Sequence, residues 1–119
     1  MRAMTHEPFR VIPSDGSHEG QKILSLKGAL TSSSSPIFIE ALHAIESPSL
    51  IIDMTDVPSM DSLAIGALVR AFVSCHKGGR KLGLVGLNHR VHNVLQLTGV
   101  APLFETFSTV AEAETALAQ

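Results

Sequence analysis

The chain has 119 residues, 45% of them hydrophobic and 17% charged, with a formal net charge of -2. That length and apolar content predict one folded domain with a real core, and exclude disorder or two domains. No basic excess is available to track phosphates, and the absence of Trp and Tyr leaves few platforms for stacking bases. The composition therefore argues against direct nucleic-acid binding and against attachment to anionic membranes. Cys75 is the single cysteine, so an intrachain disulfide is impossible and a reducing compartment is expected. Each apolar run is interrupted by Lys, Asp, Arg or Pro before it reaches membrane-spanning length. The N-terminus, with Arg2, His6, Glu7 and Pro8, lacks the apolar centre of a signal peptide. A soluble, cytoplasmic protein is expected, with no membrane insertion.

Residues 1–7 read as a loose leader, and 8–119 as the domain. Phe9 to Ile12 and Lys22 to Lys27 are predicted strands, separated by the turn-rich stretch Ser14 to Gly20. So short a connection predicts antiparallel pairing. The serine run Ser32 to Ser35 ends at Pro36, a helix start signal. Phe38, Ala41, Leu42 and Ile45 then fall at helical spacing, and Ser47-Pro48 stops the helix. Leu50 to Met54 is short, apolar on both faces at its centre and rich in isoleucine, as an interior strand would be.

An acidic loop carrying Asp53, Asp56 and Pro58 follows, and Met60-Asp61-Ser62 opens a helix predicted to run to about Lys77. Gly78-Gly79 stops it before a strand at Lys81 to Val85. Asn88 is placed to cap the next helix, whose Val91, Val94 and Leu95 make a stripe that Gly99 ends. Phe104 to Phe107 reads as a last extended piece. Thr109-Val110-Ala111-Glu112 is a capping box for a final helix bearing Val110, Ala113 and Leu117. Two antiparallel strands followed by alternating helix and strand predict an α/β fold, with a mixed, mostly parallel sheet and about four helices.

A serine in the first turn of a helix stands beside unsatisfied backbone N–H groups and the positive end of the helix dipole. Ser62 has that setting, which favours a phosphate on its hydroxyl. The plainer alternative is that Asp61 or Ser62 does no more than cap the helix. A helical wheel from Asp61 to Lys77 puts Ile65, Leu68, Phe72 and Cys75 on the core side, flanked by Ala64 and Ala71. Arg70, Ser74 and Lys77 lie opposite. Leu63, Gly66 and Ala67 fall on the same outward side, close to Ser62, and suggest a protein-docking face. Gly66 and Ala67 would admit a partner's backbone, and Leu63 would fill its pocket. Asp53, Asp56 and Asp61 form an expected acidic surround, with Asp53 and Asp56 at the rim.

Four stretches together resemble the STAS domain, and within it the bacterial anti-sigma factor antagonists. They are Leu50-Ile51-Ile52-Asp53, Met60 to Leu68, Gly78-Gly79-Arg80-Lys81-Leu82 and Val94-Leu95-Gln96-Leu97-Thr98-Gly99. The similarity covers roughly Leu26 to Leu117. Its most specific part is the Met-Asp-Ser helix start, where the family carries its phosphorylated serine; that position matches Ser62. Leu63 and Ala64 depart from the usual Asp-Ser-Ser-Gly pattern.

The resemblance implies a binding switch with no catalysis and no cofactor. The unphosphorylated form would bind an anti-sigma factor of the histidine-kinase-like ATPase fold and release the sigma factor. The same partner would phosphorylate Ser62, and a serine phosphatase would restore it. The alternative within the same family is an unphosphorylated scaffold subunit of a sensory or lipid-transport complex.

Other chemistry finds less support. His89 and His92 stand three apart on a predicted helix, but no Cys, Asp or Glu completes a metal set at the right spacing. Ser62 with His89 and Asp53 would make a hydrolase triad, yet the serine lacks the Gly-x-Ser-x-Gly elbow. Gly78-Gly79-Arg80-Lys81 is too short for a phosphate-binding loop and lacks its trailing Ser or Thr.

Overall fold

A computed structural model describes residues 8–118; the expected leader at 1–7 lies outside them. The strands are β1 (Arg10–Asp15), β2 (Gln21–Lys27), β3 (Ser49–Asp56), β4 (Lys81–Val85) and β5 (Glu105–Phe107). The helices are α1 (Ser35–His43), α2 (Ile65–Lys77), α3 (His89–Leu97) and α4 (Val110–Leu117). Short 3-10 turns at Ser62–Ala64 and Ala101–Leu103 precede α2 and β5. The sheet order is β1-β2-β3-β4-β5. β1 runs antiparallel to β2, and every other pair is parallel. This is the α/β architecture that the alternation of elements predicts.

Strand β3 runs from Ser49 to Asp56, so Asp53 and Asp56, expected in an acidic loop, lie in the strand itself, and α1 ends at His43, before Ile45. Two further boundary differences have a local reason. β1 runs on to Asp15 because Ser14 and Asp15 still pair with Ile23 and Lys22, and Lys22 forms an ion pair with Asp15 across the strands. Pro13 is tolerated there because β1 is an edge strand, where a missing N–H leaves no ladder bond unmade. The second difference lies at α2. The segment expected as one helix from Asp61 begins as the 3-10 turn Ser62–Ala64 and becomes α-helical only at Ile65.

Strand β3 occupies the centre of the sheet and is buried on both faces, with Leu50, Ile51, Ile52 and Met54 at most 1% exposed. Its alternation divides two cores. Leu50, Ile52 and Met54 join Leu24, Leu26 and Leu84 under α1, α2 and α3. Ile51 joins Ile23 and Val85 under α4 alone, through Ala113 and Leu117. Phe38 anchors α1, Leu68 and Ala71 anchor α2, and Val91 and Leu95 anchor α3. Each buried leucine of this set removes enough apolar surface to contribute roughly 2 kcal/mol. Gly83 lets α4 sit close, since a Cβ there would lie 2.9 Å from the Phe107 ring and 3.2 Å from Leu117.

The parallel strands all end on one side of the sheet. The loops from β3 into α2 and from β4 into α3 therefore emerge side by side, carrying Asp61-Ser62 and Asn88. Asn88 caps α3 by accepting the Val91 N–H, as its position predicts. Thr109 does the same for α4 with the Glu112 N–H at 3.1 Å, while the Glu112 carboxylate accepts the Ser108 N–H.

Candidate phosphoacceptor site

Ser62 is the first residue of the 3-10 turn that feeds α2, and it is exposed. Asp61 is its cap: the backbone there is extended, and one carboxylate oxygen accepts the Ala64 N–H at 2.9 Å. The 3-10 geometry is carried by the backbone, where the Ala64 N–H donates to Asp61 O at 3.1 Å and the Ile65 N–H to Ser62 O. The other Asp61 oxygen accepts the Ser32 N–H at 3.3 Å, in the turn before α1. The strand-like bridge Leu30–Met60, with the Asp61 N–H donating to Leu30 O at 3.2 Å, fixes the approach to that turn. The serine run Ser32 to Ser35 is thus a spatial neighbour of Ser62, a relation that no local pattern discloses.

The outward residues separate into two groups. Leu63 is 74% exposed, and a Cβ added at Gly66 would meet nothing within 4 Å. Both stand where the wheel puts them, next to Ser62. Ala67 does not: it is only 4% exposed and belongs to the main core. The wheel fails here because it treats the sheet as the only wall. α1 lies alongside α2 and covers a further arc of it, and the 3-10 turn advances the helical phase before Ile65. Exposure alone does not mark a docking residue, since Leu97 at the end of α3 is 79% exposed. Leu63 is distinguished by its place beside the serine.

The acidic surround is also redistributed. Asp53 is folded back on its own strand end, accepting the Thr55 N–H at 3.0 Å and the Thr55 hydroxyl at 2.6 Å. Asp56 forms an ion pair with Lys27, and both line a shallow cavity of about 430 Å³ with Arg10, Thr55 and Pro58. The rim expected to be acidic is therefore of mixed charge. Asp61 is the carboxylate that bonds to the Ser62 turn itself.

His89 and His92 are exposed, and among the described residues no three of His, Cys, Asp or Glu gather as a metal set. No helix among the described residues is long and apolar enough to cross a membrane.

The STAS domain family model matches residues 13–113. The chain belongs to this family. Over 67 residues the domain is 34% identical to the anti-sigma-B factor antagonist of Listeria monocytogenes, across 56% of this chain and 59% of that protein. The STAS chain therefore matches less than two thirds of that relative's length. Among solved structures, an anti-sigma factor antagonist from Mycobacterium paratuberculosis superposes with a TM-score of 0.84 at 23% identity, covering 94% of this chain and 96% of that one. The anti-sigma factor antagonist SpoIIAA in its unphosphorylated form superposes with a TM-score of 0.68 at 14% identity, covering 94% and 98%. At those identities the structural likeness is one of STAS fold.

Proposed function

We propose that residues 8–119 form a phosphorylation-switched binding domain, an anti-sigma factor antagonist that does no chemistry of its own. The observation that carries the reading is the exposed Ser62 hydroxyl on the first turn leading into α2, next to the exposed Leu63 and the open surface at Gly66. Similarity to the Listeria antagonist supports the same role. The partner is an anti-sigma factor that is also a serine kinase of the histidine-kinase-like ATPase fold. A serine phosphatase reverses the modification, and the exchange takes place in the cytoplasm.

Charge drives the switch. Neutral Ser62 is small enough to lie within an interface beside Leu63 and Gly66. A phosphate there adds roughly two negative charges and three strong acceptors. The free N–H groups of the helix start stabilise it within the domain, while the Asp61 carboxylate opposes it. The partner then faces a desolvation cost and a like-charge field that it did not face before. The modification changes binding and leaves the fold in place.

The decisive experiment supplies the purified partner kinase and ATP and maps the phosphopeptides. Ser62 is expected to dominate. A dominant site among Ser32 to Ser35 or at Ser108 would overturn the assignment, and absence of incorporation would favour a non-phosphorylated scaffold subunit.

A further inference from the structure

Asn88 divides its hydrogen bonds between two loops. Its Oδ1 accepts the Val91 N–H at 2.9 Å, which caps α3. Its Nδ2 donates to Val57 O and Pro58 O, both at 3.1 Å. Those carbonyls belong to the segment between β3 and Ser62. The partners fix the amide's orientation, because turning it over would oppose donor to donor and oxygen to two carbonyls.

The two loops are also pressed together. Gly86 has φ +73°, and a Cβ there would lie 2.3 Å from the Thr55 hydroxyl oxygen, so only glycine lets the chain pass so close to the end of β3. On its other side the same segment is tied to Leu30, whose N–H donates to Ser59 O at 3.1 Å and whose carbonyl accepts the Asp61 N–H at 3.2 Å. The loop that presents Ser62 is held from both flanks.

We propose that Asn88 is a positioning residue for Ser62, holding the Val57–Asp61 segment so that the hydroxyl is presented in one geometry to the kinase and to the unphosphorylated complex. The inference rests on Ser62 being the phosphoacceptor. Capping α3 requires only an oxygen at position 88, which Asp or Ser supplies as well as Asn. Holding Val57 and Pro58 requires the NH2 group, which neither supplies. The two duties are therefore separable by substitution.

Asn88→Asp and Asn88→Ser in the full chain make the test. Both keep an acceptor for the Val91 N–H. The aspartate turns an oxygen toward two carbonyls, whereas the serine leaves a gap. Amide hydrogen exchange at Leu30 and Asp61, the reporters on the far side of the segment, is expected to accelerate roughly tenfold in the aspartate variant and less in the serine variant. Exchange at Val91 and His92 should stay as in the parent protein. Initial rates of Ser62 phosphorylation should fall in the order Asn, Ser, Asp.

Unchanged exchange at Leu30 and Asp61 in both variants would overturn the proposal, as would equal acceleration at Val91 and His92. If the parent protein takes no phosphate at Ser62, the phosphoacceptor reading fails and the inference with it. The exchange data would still show whether Asn88 holds the loop, which separates the two failures.

Discussion

The Asp61 carboxylate reaches the Ser32 backbone N–H at 3.3 Å, joining the entry turn of α1 to the entry turn of α2. With its other oxygen on the Ala64 N–H, this one side chain fixes both the helix that carries Ser62 and the neighbour beside it. Asp61→Ala should remove both bonds and cost about 1–2 kcal/mol of stability. Asp61→Asn keeps an oxygen for Ala64 but turns an NH2 group toward the Ser32 N–H, so its loss should be smaller. Urea unfolding midpoints give the order; equal stability for all three proteins would mean that neither bond persists in solution.

The outward patch predicts opposite outcomes for two neighbouring positions. Leu63→Arg should leave thermal unfolding nearly unchanged and weaken partner binding strongly, because the side chain is 74% exposed. Ala67→Arg forces a charge into a site that is 4% exposed and should cost several kcal/mol, enough to unfold much of so small a domain. Circular dichroism melts of the pair check this directly. A sharp drop for Leu63→Arg would place that residue in the core.

Ser62 variants separate charge from shape. Ser62→Ala should bind the anti-sigma partner about as well as the unmodified protein and lose its response to ATP. Ser62→Asp should bind more weakly, but only partly so, because a carboxylate carries less charge and fewer acceptors than a phosphate. Its defect should shrink at high salt if repulsion dominates. Titration calorimetry of the three forms measures both effects, and equal affinities throughout would reduce Ser62 to a surface residue of the first turn.

Cys75 provides a pH-dependent test of the core. The thiol is 2% exposed, and burial raises its pKa above the ordinary 9.0, with the nearby Arg80 pulling the other way. The folded state then holds its proton more tightly than the unfolded state. The resulting stability is fully present below about pH 9 and is lost as pH rises through the folded-state value. Denaturant midpoints of the parent protein should therefore fall more steeply above pH 9 than those of Cys75→Ala. Thiol labelling should be slow until the protein unfolds; fast labelling of the native protein would contradict the burial.

Much of the fold was legible because it is written in short-range patterns. The β4 bounds at Lys81 and Val85, the Asn88 and Thr109 caps and the paired first strands follow from hydrophobic alternation, glycine stops and capping side chains. The exposure of Ser62, Leu63 and Gly66 was legible for the same reason, since each is set by its own helix start. The misplacement of Ala67 marks the limit of that reasoning. A wheel knows the period of one helix, not how many walls surround it, and α1 as a second wall is invisible from residues 61–77 alone.

The sequence by itself determined the α/β class, the family and the serine ahead of α2, because the first two follow from the order of locally patterned segments along the chain and the last from a single helix start. Only the tertiary structure decided which polar groups meet: Asp61 with Ser32 and Asn88 with Val57 and Pro58 across loops, and Asp56 with Lys27 across the ends of β3 and β2. These pairs are about 30 residues apart in the chain. The parallel sheet brings them together by gathering its loops at one end. Their bonds depend on distances that only packing sets, so the surroundings of Ser62 could not be read from the chain in one dimension.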